Sequence, residues 1–193
     1  MTGVYISWSK LSRNAIKTRS NHLLKSQPLN TFRTLYSVNV YINNPMAKLT
    51  HPDLTQVPPR SPRVRLGGYA QLPRIIDKAR ATLAGKQGEY HYNCPMDRYF
   101  FDFAKIDHKA LLAMVKKGTS DTQIIDWVES KTKRTPAEIA AWTAWIETRA
   151  PGGADGHEWF ASTLKKIAPG RSDISTIFDL LDLDDHVTFG GKA

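Results

Sequence analysis

"LPRIIDKAR", Leu72 to Arg80, is the stretch from which the fold of this chain is read. Pro73 suits the first turn of a helix, where its missing N–H is not needed, and Gly85 suits the stop. Leu72, Ile76, Ala79 and Leu83 recur at three- and four-residue steps, which makes one apolar stripe. Arg74, Asp77, Lys78 and Arg80 supply charge, and on a helix residues three and four apart are neighbours. Asp77 is thus flanked by Arg74 and Arg80, and one carboxylate cannot neutralise three cations. Two readings follow. One is a solvated ladder of ion pairs, each contributing about 0.2–0.5 kcal/mol. The other is a guanidinium fork holding a carboxylate or phosphate near the helix start, where the macrodipole adds attraction. Arg60, Arg63, Arg65 and Lys86 raise the local positive density. An acidic tail answers from the far end: Asp173, Asp179, Asp182, Asp184 and Asp185, with no Lys or Arg from Ser172 to Gly191. If the two regions face each other within the fold, the case for an external anion weakens.

Helix signals continue downstream. Pro95 restarts a short helix with Phe100, Phe101 and Phe103 as its bulk, and Asp107 caps the next, where Leu111, Leu112 and Val115 bury and Gly118 ends the run. "SDTQIIDW" (Ser120–Trp127) and "TPAEIAAW" (Thr135–Trp142) both carry a capping-box pattern, a hydroxyl followed three residues later by Gln or Glu. "PGGADG" (Pro151–Gly156) reads as a loop, His157 to Ala168 as an amphipathic helix, and Ser172 or Asp173 as the start of a last helix with Ile174, Ile177, Phe178 and Leu181 on its stripe. "GEYHYNC" alternates as an extended segment would, Tyr90 and Tyr92 on one face. Trp127, Trp142, Trp145 and Trp159 fall at helical spacing and read as core. The expectation is a mainly α protein: about six helices around one core over residues 63–189, with at most one short β-hairpin.

In front of that body, residues 46–62 read as a Pro-rich linker, since Pro52, Pro58, Pro59 and Pro62 forbid a continuous helix. Residues 1–45 hold six Lys/Arg and no acid, an extension not expected to fold. That composition fits a transit peptide, a basic tail, or translated sequence upstream of a start at Met46. Residues 35–42 alternate like a strand, which alone cannot hold itself together. Six of the nine surplus positive charges therefore sit outside the body. A phosphate-binding surface must lie on folded structure, so nucleic acid ranks last among partners, through Arg60 to Lys86.

The chain has one cysteine, so no intrachain disulfide is possible and a reducing compartment is the simpler reading. No apolar run approaches the roughly 18 residues that cross a bilayer, and no membrane association is expected. Cys94, just before Pro95, can occupy a helix N-cap, where unpaired N–H groups favour a thiolate, and His91 is near in sequence. A lone cysteine is also a common small apolar core residue. Asp77 with Tyr90 is a second acid–base pairing to consider. Tyr90, Tyr92 and Tyr99 can stack on a ligand or serve as core with the hydroxyl tied down. No metal is expected, because the histidines lack ligand spacing and Asp182, Asp184, Asp185 and His186 lack the glycine and terminal glutamate of a calcium loop. No cofactor is expected either: "GGADG" matches neither phosphate-loop nor dinucleotide fingerprint.

"GGYAQLPRIIDKARATLAGKQGEYHYNCPMD" (Gly67–Asp97), with the later "TQIIDWV" and "APGRSDISTIFDLLDLDD", resembles the bacterial family catalogued as domain of unknown function 5069. The resemblance spans about residues 58–185 and leaves 1–45 outside. It implies a compact cytoplasmic bacterial protein and carries no activity and no residue roles. The functional expectation is a binder of an acidic small molecule or an acidic partner segment at Arg74, Asp77, Lys78 and Arg80, assisted by Tyr90 or Tyr92. The alternative is a small enzyme using Cys94 with His91, or Asp77 with Tyr90.

Overall fold

The computed structural model describes residues 51–193. The expectations for residues 1–45, for the strand-like stretch 35–42 and for a start at Met46 lie outside the described residues. Seven helices follow in order: α1 Leu72–Leu83, α2 Pro95–Ala104, α3 His108–Lys116, α4 Asp121–Lys131, α5 Pro136–Glu147, α6 Gly153–Ile167 and α7 Ile177–Thr188. The protein is mainly α, and its only sheet-like pairing among the described residues is one bridge between Leu66 and Tyr69. Gly67 and Gly68 make that turn at φ 58° and 84°, and a Cβ on Gly67 would come within 2.3 Å of the Ile125 side chain.

Local chemistry sets the helix starts. Asp107 accepts from the Lys109 N–H, and Ser120 with Gln123 and Thr135 with Glu138 close both capping boxes. The last helix begins later than expected. Its cap is Thr176, which pairs with Asp179, while Asp173 is taken by Arg171. The sixth begins earlier, at Gly153, so four of the six residues of the expected PGGADG loop are helix. "GEYHYNC" is a run of turns, not a strand, with Asn93 at φ 60°.

Two expectations about packing need correction. The one-sided stripe on α1 is a helix buried all round: every residue from Leu72 to Ala81 is inside. Side chains of α2, α3, α4, α5 and α7 share its core, while Phe160 of α6 packs with Ile177 and Leu180 of α7 in a second, smaller cluster. Tyr69, Phe100, Phe103 and Trp142 form an aromatic cluster beside α1, Phe103 stacked on Trp142 at 4.9 Å. Trp127 packs against that core, but Trp145 and Trp159 are 45% and 48% exposed, because α5 and α6 turn those positions outward. The Pro-rich stretch forms no helix, as its prolines require; it turns at 54–57 and, over 51–62, is seated on the body: Leu54, Pro59 and Pro62 are buried. Among the described residues no helix is long and apolar enough to cross a membrane.

Candidate functional site

Burying α1 puts four charged side chains inside the molecule. Arg74, Asp77, Lys78 and Arg80 are each less than a tenth exposed. An uncompensated charge there would cost several kcal/mol, so each needs a partner, and each has one from a distant segment. The Arg74 guanidinium grips Asp185 of α7 with two bonds, Nη1 to Oδ2 at 2.6 Å and Nη2 to Oδ1 at 3.1 Å. Lys78 Nζ donates to both oxygens of Asp97 in α2, at 2.7 and 2.8 Å. Asp77 accepts from Arg60, from Nη2 at 2.7 Å and Nε at 2.8 Å. Arg80 donates to the Thr119 carbonyl and brings Nη1 within 2.8 Å of Asp121 Oδ1, a charge contact without the alignment of a hydrogen bond. Asp121 also receives Arg60. Burial alone would raise its pKa, but Arg60 and Arg80 more than offset that and hold the carboxyl below its ordinary range.

The ladder within α1 is therefore absent, and so is the charge surplus. Each of the seven Lys/Arg from Arg60 to Lys86 has a carboxylate within 4 Å: Arg63 has Asp179 and Asp182, Arg65 has Glu147, and Lys86 has Asp53. Asp179, Asp182 and Asp185 of the C-terminal tail do face the basic region, as the sequence allowed. What sequence could not show is that Asp97 and Asp121 join them.

The four charges of α1 then divide. Asp77 and Arg80 lie in the closed network with Arg60 and Asp121. Arg74 and Lys78 line a cleft of about 890 Å³, bounded by the turns at 86–94 and by α2, α6 and α7. Tyr90, His91 and Cys94 line it too, so five of the residues singled out from sequence share one cavity. Tyr90 donates its hydroxyl to Asp185 at 2.7 Å and lays its ring 5.4 Å from the Arg74 guanidinium carbon. Burial and the Asp185 carboxylate push its pKa up, so it stays a donor. Asp77 is not beside it in this cleft. Tyr92 is elsewhere as well. Its hydroxyl donates to the His108 carbonyl at 2.7 Å, and its ring packs on Phe101 as core.

Cys94 is the N-cap of α2, as expected, with Pro95 at the first helical position. It is partly exposed, and Lys78 Nζ lies 3.4 Å from Sγ. The same ammonium reaches the His91 carbonyl at 3.2 Å. One residue that sequence reading passed over completes the floor. Gln71 is the N-cap of α1, held in left-handed backbone at φ 66° while its N–H bonds the Pro62 carbonyl. Its side chain is 1% exposed. Nε2 donates to Asp97 at 3.0 Å, whereas Oε1 has no partner. Asp97 requires a donor, so the amide cannot turn round. The sequence signal was faint: a polar residue directly before an apolar-Pro helix start, with no cap hydrogen bond predicted of it. Trp159, Met96, Leu181 and Phe189 give the cleft apolar walls.

No match to the chain is found among curated proteins. The family model for a domain of unknown function, DUF5069, matches residues 56–187, which takes in α1, its buried ion pairs and most of the cleft; the chain belongs to that family.

Proposed function

We propose that this protein binds a small organic molecule in the cleft beside α1. Its volume lies within the roughly 300–1,000 Å³ usual for such sites, and the combination of apolar walls with a few converging polar groups is usual for them too. The observation that carries the reading is Gln71. A non-glycine residue in left-handed backbone costs about 1–3 kcal/mol, and a buried acceptor without a donor costs about 1–3 kcal/mol more. Both fall on one residue, the first on its backbone and the second on its side chain, and that residue lines the cleft. A ligand that donates to Oε1 recovers the second cost.

An acidic ligand, an acidic partner segment or nucleic acid was expected from surplus positive charge. With each cation of this region facing its own carboxylate, that argument loses its premise. The proposal therefore rests on hydrogen bonding and shape. We also place the protein in the cytoplasm, on the strength of its single free thiol.

The test combines thermal shift with protection of Cys94. Small carboxylates, phosphates, alcohols and amines are screened, and hits are tested for slowing the reaction of Cys94 with a thiol reagent. At least one class is expected to do both. If none raises the melting temperature and none protects Cys94, the cleft is not a ligand site.

A second reading has its own observation, the Cys94 sulfur at a helix N-cap with the Lys78 ammonium 3.4 Å away. In that reading Cys94 is a nucleophile and His91, on the same cleft, a proton acceptor. Labelling rate against pH decides it. A Cys94 that reacts only above pH 8, or only on unfolding, removes the enzyme reading.

A further inference from the structure

We infer that the ligand of this cleft is an organic amine with an apolar body, an inference that rests on the small-molecule reading above. The polar groups of the lining divide into those already bonded within the protein and those that are not. Arg74 is tied to Asp185, and Lys78 to Asp97 with its remaining reach taken by the His91 carbonyl and Cys94. Tyr90 gives its only proton to Asp185. The permanently charged donors of the lining and the Tyr90 hydroxyl are thus engaged within the protein, which leaves the His91 ring, the Thr188 hydroxyl and the Trp159 indole N–H as its neutral donors.

Three acceptors of the lining are not so engaged. Gln71 Oε1 is buried and has no partner. Asp184 of α7 and Glu89 of the preceding turns line the cleft and have no ion pair within 4 Å among the described residues. Lys166 and Arg74 act on Asp184 only at longer range. Burial, and then the neighbouring Asp185 carboxylate, push the Asp184 carboxyl up in pKa, the signature of a negative charge short of a counter-ion. A cleft whose paired charges cancel keeps two free carboxylates and one amide oxygen. It offers acceptors to a donor and negative charge to a cation.

The apolar part of the ligand follows from the walls. Trp159 stands nearly half exposed beside Met96, Leu181 and Phe189. An indole face at a cleft that holds carboxylates suits the body of an amine and adds cation–π attraction to an ammonium. A carboxylate or phosphate ligand would meet Asp184 and Glu89 with nothing spare to balance it.

Three probes of matched size separate the possibilities: phenethylamine, 2-phenylethanol and 3-phenylpropanoate, titrated calorimetrically into the full chain at pH 7 and low salt. The amine is expected to bind about tenfold more tightly than the carboxylate. Asp184→Asn is expected to weaken the amine about three- to tenfold while leaving the alcohol within about twofold. That variant folds, since it deletes a charge without a partner. A carboxylate binding as tightly as the amine overturns the amine assignment and leaves the cleft reading standing. So does an amine that binds Asp184→Asn like the parent. Silence from all three probes overturns the cleft reading and this inference with it.

Discussion

The two sides of α1 carry the same kind of buried charge and end differently. On one, Asp77 and Arg80 close with Arg60 and Asp121 into a network in which every charge has an opposite charge, although Asp121 Oδ1 meets Arg80 without an aligned hydrogen bond. On the other, Arg74 and Lys78 are equally well matched, yet both line a cavity that is lined too by Gln71 with its orphan oxygen. Interior ion pairs are poor evidence for stability, because desolvation consumes most of what Coulomb attraction returns. Their value here is positional. The closed side fastens the Pro-rich segment and α4 to α1, and the open side orients α2 and α7 around the cleft.

The largest effect should come from breaking the deepest pair. Asp97→Ala strands the Lys78 ammonium and the Gln71 amide together, and should cost about 3–5 kcal/mol in urea unfolding. Replacing both members, Lys78→Met with Asp97→Leu, should return most of that loss, since an apolar pair needs no counter-charge. A double variant as unstable as the single would show that the pair itself, and not the stranded charge, holds this side together.

Asp121→Ala on the closed side should cost less, about 1–3 kcal/mol, because Arg60 keeps Asp77 and reaches water, while Arg80, which loses its carboxylate, keeps the Thr119 carbonyl beside a partly exposed position 121. A loss equal to that of Asp97→Ala would erase the contrast between the sides.

Acid should separate them by sign. Asp121 has its carboxyl held below the ordinary 3.8, so its contribution is complete above that pH and is lost as pH falls through the lower folded value. Asp184 is shifted the other way. Its fold takes up a proton before the unfolded chain does, so its stabilising contribution is present at low pH and is lost as pH rises through the raised value. Unfolding curves from pH 7 to pH 3 should show the Asp121→Ala variant losing less on acidification than the parent. The smallest effect belongs to Asp184→Asn, which should stabilise the protein at pH 7 by no more than about 0.5 kcal/mol. A destabilised variant would mean that Asp184 has a partner after all.

Much of the fold was legible because helix starts are written locally. Pro73, Asp107, Ser120 with Gln123 and Thr135 with Glu138 each act within one turn. The last start was misplaced because Ser172, Asp173 and Thr176 all qualify by residue type, and only the Arg171–Asp173 pair decides among them. Periodicity placed an apolar stripe on α1 but could not reveal that its charged face is also interior. That depends on Asp97, Asp121 and Asp185 arriving from other segments. The candidate site was half legible for the same reason. Residue type found Arg74, Lys78, Tyr90, His91 and Cys94, but nothing in their spacing told which lie together. Gln71 carries no local signal strong enough to single it out, since its distinction is a missing partner in three dimensions.

The mutual dependence of these acids and bases constrains how related chains can drift. Losing Asp185 alone leaves Arg74 in a medium that cannot solvate it, and losing Arg74 alone does the same to Asp185. A lineage must change both together or pass through a neutral stand-in. Positions 74 and 185, and likewise 78 and 97, should then be exchanged jointly among homologues, whereas 184, with no ion-pair partner among the described residues, carries no such tie.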